Sequence, residues 1–128
     1  MDRDQLNAIS KVVVDSAFAV HTEMGPGLLE AIYQQCLVQE LRMRSVQVDV
    51  MVIVPLVYKG LVLNKDYVLD ILVEQEIILE LKAVEGILPV HEAQIISYLK
   101  LAKKKLGFLI NFNVPLLKNG LHRFVNNF

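Results

Sequence analysis

At 128 residues and 14.5 kDa, the chain has the size of one ordinary domain, long enough to bury one continuous core. Its 54% hydrophobic content excludes a disordered tail, and its one cysteine, Cys36, excludes an internal disulfide or a cysteine-rich metal site. The net charge of −1 hides a division, six Lys/Arg against twelve Asp/Glu over residues 1–81 and seven against two over residues 82–128, so the second part can attract a polyanion.

The first residues, MDRDQ, are acidic and polar, unlike the basic start of a signal segment. Leu6, Ile9, Val13, Ala17 and Val20 then recur at spacings of three and four, which predicts an amphipathic helix from Asp2 to about Glu23. Gly25-Pro26-Gly27 stops it. A second helix follows from Leu28 to about Arg44, with Ile32, Leu37, Val38 and Leu41 on its buried side. After Ser45 the period becomes two: Val46, Val48, Val50, Val52 and Val54 alternate with their neighbours as in a strand. The longest apolar runs, such as Val50 to Val57, are about half the ~20 residues of a membrane helix. Lys59-Gly60 is a turn signal and Leu61 to Leu63 resumes the sheet. Tyr67–Val73 and Ile77–Ala83 flank the polar tip Glu74-Gln75-Glu76 as a hairpin. Pro89 precedes a third helix, from about Val90 to Lys105. Gly107–Asn111 reads as a buried strand and Leu121–Val125 as a short last one.

The order α-α-β-β-β-α-β-β predicts an α/β fold, a mixed sheet with helices packed on it, as one domain over residues 1–128. No repeat, low-complexity tract or linker interrupts it.

The chemistry concentrates in the predicted hairpin. If it is centred on Gln75, Asp70 lies opposite Glu80, and Glu80 and Lys82 share a face. Leu69, Ile71, Leu79 and Leu81 then cover the other face. Two carboxylates across an antiparallel pair repel, and these sit in a run of Ile, Leu and Val. Buried like charges need a cation or a shared proton between them. Mg²⁺ suits the first case because it takes hard oxygen ligands. An ordinary salt bridge from Lys82 to either carboxylate is the competing arrangement, and short motifs match by chance.

Asp70, nine residues, then Glu80-Leu81-Lys82 resembles the D…(D/E)xK signature of the PD-(D/E)XK nucleases, with Leu69 where proline is usual. Gly27-Leu28-Leu29-Glu30-Ala31-Ile32-Tyr33 resembles the GxxExxY pattern of a small bacterial and archaeal family within that group. HTEMGPGLLEAIY, DYVLDILV, ILELKAV, LPVHEAQIISYLK and LGFLINF resemble that family in the same order, from about residue 10 to the C-terminus. Gln94-Ile95-Ile96-Ser97-Tyr98 resembles the QxxxY motif of RecB-like nucleases. The family often carries a basic residue two positions before the aspartate, where this chain has Val68.

The resemblance implies a restriction-endonuclease-like core. It makes Asp70, Glu80 and the backbone carbonyl of Leu81 the ligands of Mg²⁺, with Mn²⁺ as a substitute, and Lys82 the catalytic lysine. Glu30 matches the helix glutamate that approaches the metal directly or through water; a solvated helix residue is the plainer reading. Gln94 and Tyr98 stack on one helical face; Gln94 can donate to a phosphate or to a metal-bound water, and the Tyr98 hydroxyl can hold the active-site lysine or the substrate backbone. His21, His91 and His122 lack zinc spacing and read as solvent-facing or as substrate contacts. Cys36 reads as a core residue. Asn111 and Asn113 read as loop caps, with the cleft as the alternative.

The implied activity is Mg²⁺-dependent hydrolysis of DNA with weak sequence specificity, the Lys100–Lys105 cluster assisting from the third helix. Charge alone makes those lysines the solvated face of a helix. The competing functions are a non-catalytic nucleic-acid-binding or complex-subunit module on the same fold, and an interaction domain whose carboxylates form salt bridges. A cytoplasmic location without membrane attachment is expected, and a homodimer or partner protein fits the apolar fraction.

Overall fold

The computed structural model describes residues 1–128. Helix α1 (Arg3–Met24) opens on a capping box in which Gln5 N–H donates to Asp2 Oδ1 at 2.8 Å and Asp2 N–H donates to Gln5 Oε1 at 2.9 Å. Leu6, Val13, Ala17 and Val20 form its buried stripe, as their spacing predicts. Gly25 ends it at φ 68°, a left-handed conformation that glycine adopts without steric penalty.

Helix α2 (Glu30–Met43) starts two residues later than its pattern suggests. Ile32, expected inside, is 37% exposed, and Tyr33 takes the buried place beside it. The Tyr33 hydroxyl donates to Gly25 O at 2.6 Å and accepts from Leu28 N–H at 3.1 Å, while its ring stacks on Phe112 at 4.6 Å. The tyrosine of the GxxExxY pattern therefore locks the α1–α2 corner onto the sheet.

One five-stranded sheet follows, in the spatial order β1 (Val48–Tyr58), β2 (Leu61–Val73), β3 (Ile77–Lys82), β4 (Leu106–Asn111), β5 (Leu121–Val125). The β3–β4 pair is parallel and the others antiparallel. Helix α3 (Pro89–Leu101) makes the crossover. Leu61–Leu63 and Tyr67–Val73 are one continuous strand, with a register shift opposite Pro55/Val57. The architecture is the mixed α/β fold expected from the element order, consistent with a restriction-endonuclease-like core.

Helices α1 and α2 cover one face of the sheet, over a core of 19 buried residues that includes Ile71, Leu79, Leu81 and Phe108. Helix α3 covers the other through Leu99, against Leu69, Leu72 and Ile78. Gly107 admits this packing: a Cβ there would meet Ile78 O and Ile95 Cδ1 at 3.1 Å.

Leu69 is thus in the core but not on the face of Ile71, where simple alternation puts it. Met51 has φ 51°, and the β1–β2 register places it opposite Asp70. A left-handed residue interrupts the pleat, and β2 presents Leu69 and Leu72, three apart, to the same helix. Beyond this kink β1 and β2 continue as a two-stranded ribbon with Ile53, Val57, Leu61 and Val62 exposed.

Helix α3 ends at Leu101 and not at Lys105. Lys103 takes φ 57°, and Lys104 N–H folds back to Leu99 O at 2.9 Å. No helix is long and apolar enough to cross a membrane.

Candidate active site

The hairpin register is the one its polar tip predicts. Val73, Leu72 and Ile71 face Ile77, Ile78 and Leu79, which brings Asp70 opposite Glu80. The ladder stops there. Asp70 N–H donates to Glu80 Oε1 at 3.3 Å, and Leu81 N–H donates to Asp70 Oδ2 at 3.0 Å. Side chains replace the backbone partners of a regular pair, and the strands fork.

These two bonds draw both carboxylates into the fork. Glu80 is 5% exposed. Burial, and then the negative charge of Asp70, push its carboxyl up to about 9, against the opposing pull of Lys82. Leu81 donates its N–H toward Asp70, and a strand residue directs its N–H and C=O to the same edge, so the Leu81 carbonyl faces the fork as well.

Lys82 ends β3 on the Glu80 face, half-buried. The ion pairs of the chain lie elsewhere, at Met1–Glu76, Lys11–Asp15 and Arg44–Glu40. The ammonium group is therefore held near the carboxylates without being consumed by a salt bridge, the arrangement that competes with a functional site.

Glu30 is the first residue of α2 and is exposed. Partial burial of its carboxyl and the charge of Asp70 raise its pKa, and Lys82 lowers it. It feels both groups, yet Asp70, Glu80 and Glu30 do not converge into a three-carboxylate cluster.

From α3, Gln94 Nε2 donates to the Tyr98 hydroxyl at 2.7 Å, one helical turn apart. Burial raises the Tyr98 pKa, and so do the charges of Glu80 and Asp70, which sets the phenol beside the carboxylates. Its ring stacks on Tyr67 at 4.6 Å and 7°. Tyr67 was not legible as a site residue. It lies three residues before Asp70, and only the kink at Met51 turns it toward α3. Its hydroxyl is buried without a partner, and desolvation pushes its pKa up to about 12.

Asn111 caps a loop, as expected, and the loop is the one that follows Lys82. Its Nδ2 donates to Val84 O at 2.9 Å, and its Oδ1 accepts from Val84 N–H at 3.1 Å and from Asn113 N–H at 3.2 Å. Phe112 N–H donates to Lys82 O at 3.0 Å. The carboxamide acts as an extra peptide group that prolongs β3.

Two histidines, both partly exposed, have structural partners. His91 Nδ1 accepts from Leu88 N–H at 3.0 Å and caps α3, and His21 Nε2 bonds Val114 O at 2.7 Å. Cys36 is a half-buried free thiol. Of the Lys100–Lys105 cluster, Lys100 lies in the last turn of α3, and Lys103, Lys104 and Lys105 follow its end.

The fork suits a divalent cation. Its ligands are hard oxygens, and a buried Glu80 beside Asp70 stays ionised only if a positive charge enters. Asp70, Glu80 and Lys82 line none of the concave pockets of the surface.

Comparison with curated proteins and with solved structures finds no match. The sequence pattern of the PD-(D/E)XK nuclease superfamily matches residues 7–124, a span that runs from α1 through β5 and includes every residue of the fork. Members of this group are generally hydrolases that act on nucleic acid and use divalent metals. A forked antiparallel hairpin carrying Asp70, Glu80 and Lys82 inside a match of that length places this chain in the PD-(D/E)XK nuclease superfamily.

Proposed function

We propose that the protein is a Mg²⁺-dependent nuclease of the GxxExxY type that hydrolyses DNA with weak sequence specificity, Mn²⁺ serving as a substitute. The observation that carries this reading is the crossed pair of bonds, Asp70 N–H to Glu80 and Leu81 N–H to Asp70, beside an unpaired Lys82. Asp70, Glu80 and the Leu81 carbonyl are the protein ligands. When bound, the cation supplies Lewis acidity toward the phosphate and lowers the pKa of the attacking water.

The remaining roles belong to the chain's own groups. Hydrolysis forms a bond from water oxygen to phosphorus and breaks the bond to the leaving sugar oxygen, which takes up a proton. Lys82 Nζ donates to a non-bridging phosphate oxygen and stabilises the charge that grows there. Glu30, on the open side of the fork, accepts a hydrogen bond from the water and orients it. The Gln94–Tyr98 pair holds the strand's backbone, with Tyr67 as a platform behind Tyr98. Contacts of this kind address phosphates and carry little base information.

The test is cleavage of single-stranded, duplex and branched DNA and RNA with Mg²⁺, Mn²⁺ or EDTA. Metal-dependent cutting of DNA supports the reading, and cutting of RNA alone replaces the substrate. A folded, cation-binding protein that cuts nothing favours a nucleic-acid-binding module on the nuclease fold.

A further inference from the structure

We infer that Lys100, Lys103, Lys104 and Lys105 form a second phosphate-binding site, which grips the nucleic-acid backbone about five nucleotides from the phosphate at Lys82. The inference rests on the nuclease reading for its ligand class and extends that reading to how much strand the protein holds.

The four lysines line one concavity together with Asn126 and Asn127, and no hydrophobic residue lines it. On a continuing helix these side chains would fan out around the axis. Here α3 stops at Leu101, and the left-handed Lys103 folds the following backbone onto itself. Asn126 pins that fold: its Nδ2 donates to Lys104 O at 3.1 Å and to Leu99 O at 3.4 Å, and its N–H donates to Lys105 O at 2.8 Å. The cluster is a built turn and not a loose basic tail.

No acid neutralises it. The ion pairs of the chain use none of these lysines, and residues 82–128 hold two acids, Glu85 and Glu92. Both lie before or on the first turn of α3, at the end remote from the cluster. Four lysines around one concavity repel each other, and a chain of phosphates is the ligand that removes the repulsion.

The register sets the distance. In the parallel β3–β4 pair Lys82 faces Asn111 and Ile77 faces Leu106, so Lys105 sits at the opposite end of the strands from Lys82. Five residues at about 3.3 Å each separate the two ends by roughly 17 Å. A duplex rises about 3.4 Å per step, so roughly five steps bridge the fork and the lysines. Gln94 and Tyr98 lie on α3 between those ends.

The experiment measures binding of a duplex of about 20 base pairs by fluorescence anisotropy across a salt series. It uses the Asp70→Asn protein, so that cleavage does not interfere. Replacing the four lysines by alanine is expected to weaken binding by about 10- to 100-fold and to flatten the slope of log K against log salt by about 3 to 4, near 0.9 per lost contact. A control variant replaces Lys11, Lys65 and Lys118, and thermal melting verifies that both variants fold. Unchanged affinity and slope, an equal loss in the control, or no binding by the Asp70→Asn protein overturns the inference. Absence of cleavage by the unmodified protein leaves this measurement standing, so the two readings fail separately.

Discussion

The backbone N–H of Asp70 donates to the carboxylate of Glu80, directly across the β2–β3 hairpin, at 3.3 Å. In a regular sheet the Asp70 N–H would point toward β1, and the Leu81 N–H would meet a β2 carbonyl; here carboxylates take both. The exchange opens the sheet at the point where two acidic side chains meet, and it holds a buried carboxylate against a like charge. Such a contact disfavours the cation-free fold, and that conflict yields the first predictions.

Glu80→Gln removes the buried ionisable group while keeping its shape. In EDTA at neutral pH the variant is expected to be more stable than the unmodified protein by about 1–3 kcal/mol, measured by urea denaturation. Its cleavage activity is expected to be lost. A fall in stability instead would mean that the carboxylate contributes more through its hydrogen bond than it costs by burial.

The pH dependence has a definite sign. Between about pH 4.5 and 9 the unfolded chain has released the Glu80 proton while the cation-free folded chain retains it. The folded state binds more protons, so stability falls as pH rises across that window, by at most about 1.4 kcal/mol per pH unit. Millimolar Mg²⁺ is expected to flatten this slope. Thermal melts at several pH values, with Mg²⁺ and with EDTA, check both statements.

The stacked tyrosines separate by function. Tyr67→Phe deletes a buried hydroxyl that has no partner and leaves the stack in place, so stability is expected to hold or rise by up to about 1 kcal/mol. Tyr98→Phe deletes the acceptor of Gln94 and is expected to lower cleavage by about tenfold with little change in melting temperature. Circular dichroism and a cleavage time course distinguish the two.

Asn111 carries a structural load next to Lys82. Asn111→Ala strands the N–H of Val84 and leaves its carbonyl only the Asn113 Nδ2 donor at 3.3 Å, and it is expected to cost about 1–3 kcal/mol. Asn111→Asp keeps the acceptor but sets an anion against Val84 O, and it is expected to rescue less than half of that loss. Urea denaturation of the two variants makes the comparison.

Much of this arrangement was legible in the residues. Between Asp70 and Glu80, Glu74-Gln75-Glu76 is the one polar interruption, so the hairpin closes there, and the facing of Asp70 and Glu80 followed by counting. The amphipathic stripe of α1 and the glycines after it were equally plain. The kink was not, because Met51 adopts φ 51° without a glycine or proline to mark it. Leu69 and Tyr67 therefore turn toward α3, against simple alternation. The end of α3 was hidden for a similar reason: lysines favour helix, yet Asn126, some twenty residues later, pins Lys103–Lys105 out of it. Ile32 and Tyr33 exchange places because the Tyr33 hydroxyl finds Gly25 and Leu28, a tertiary pairing that periodicity does not contain.

The most direct test of the central claim compares the unmodified protein with Asp70→Asn on one duplex DNA, in Mg²⁺ and in EDTA. Strand cleavage by the unmodified protein in Mg²⁺ alone, reduced at least about 100-fold by Asp70→Asn, is the predicted result. Equal cleavage by both proteins, or cleavage that persists in EDTA, would contradict the assignment of Asp70 and Glu80 as the catalytic pair.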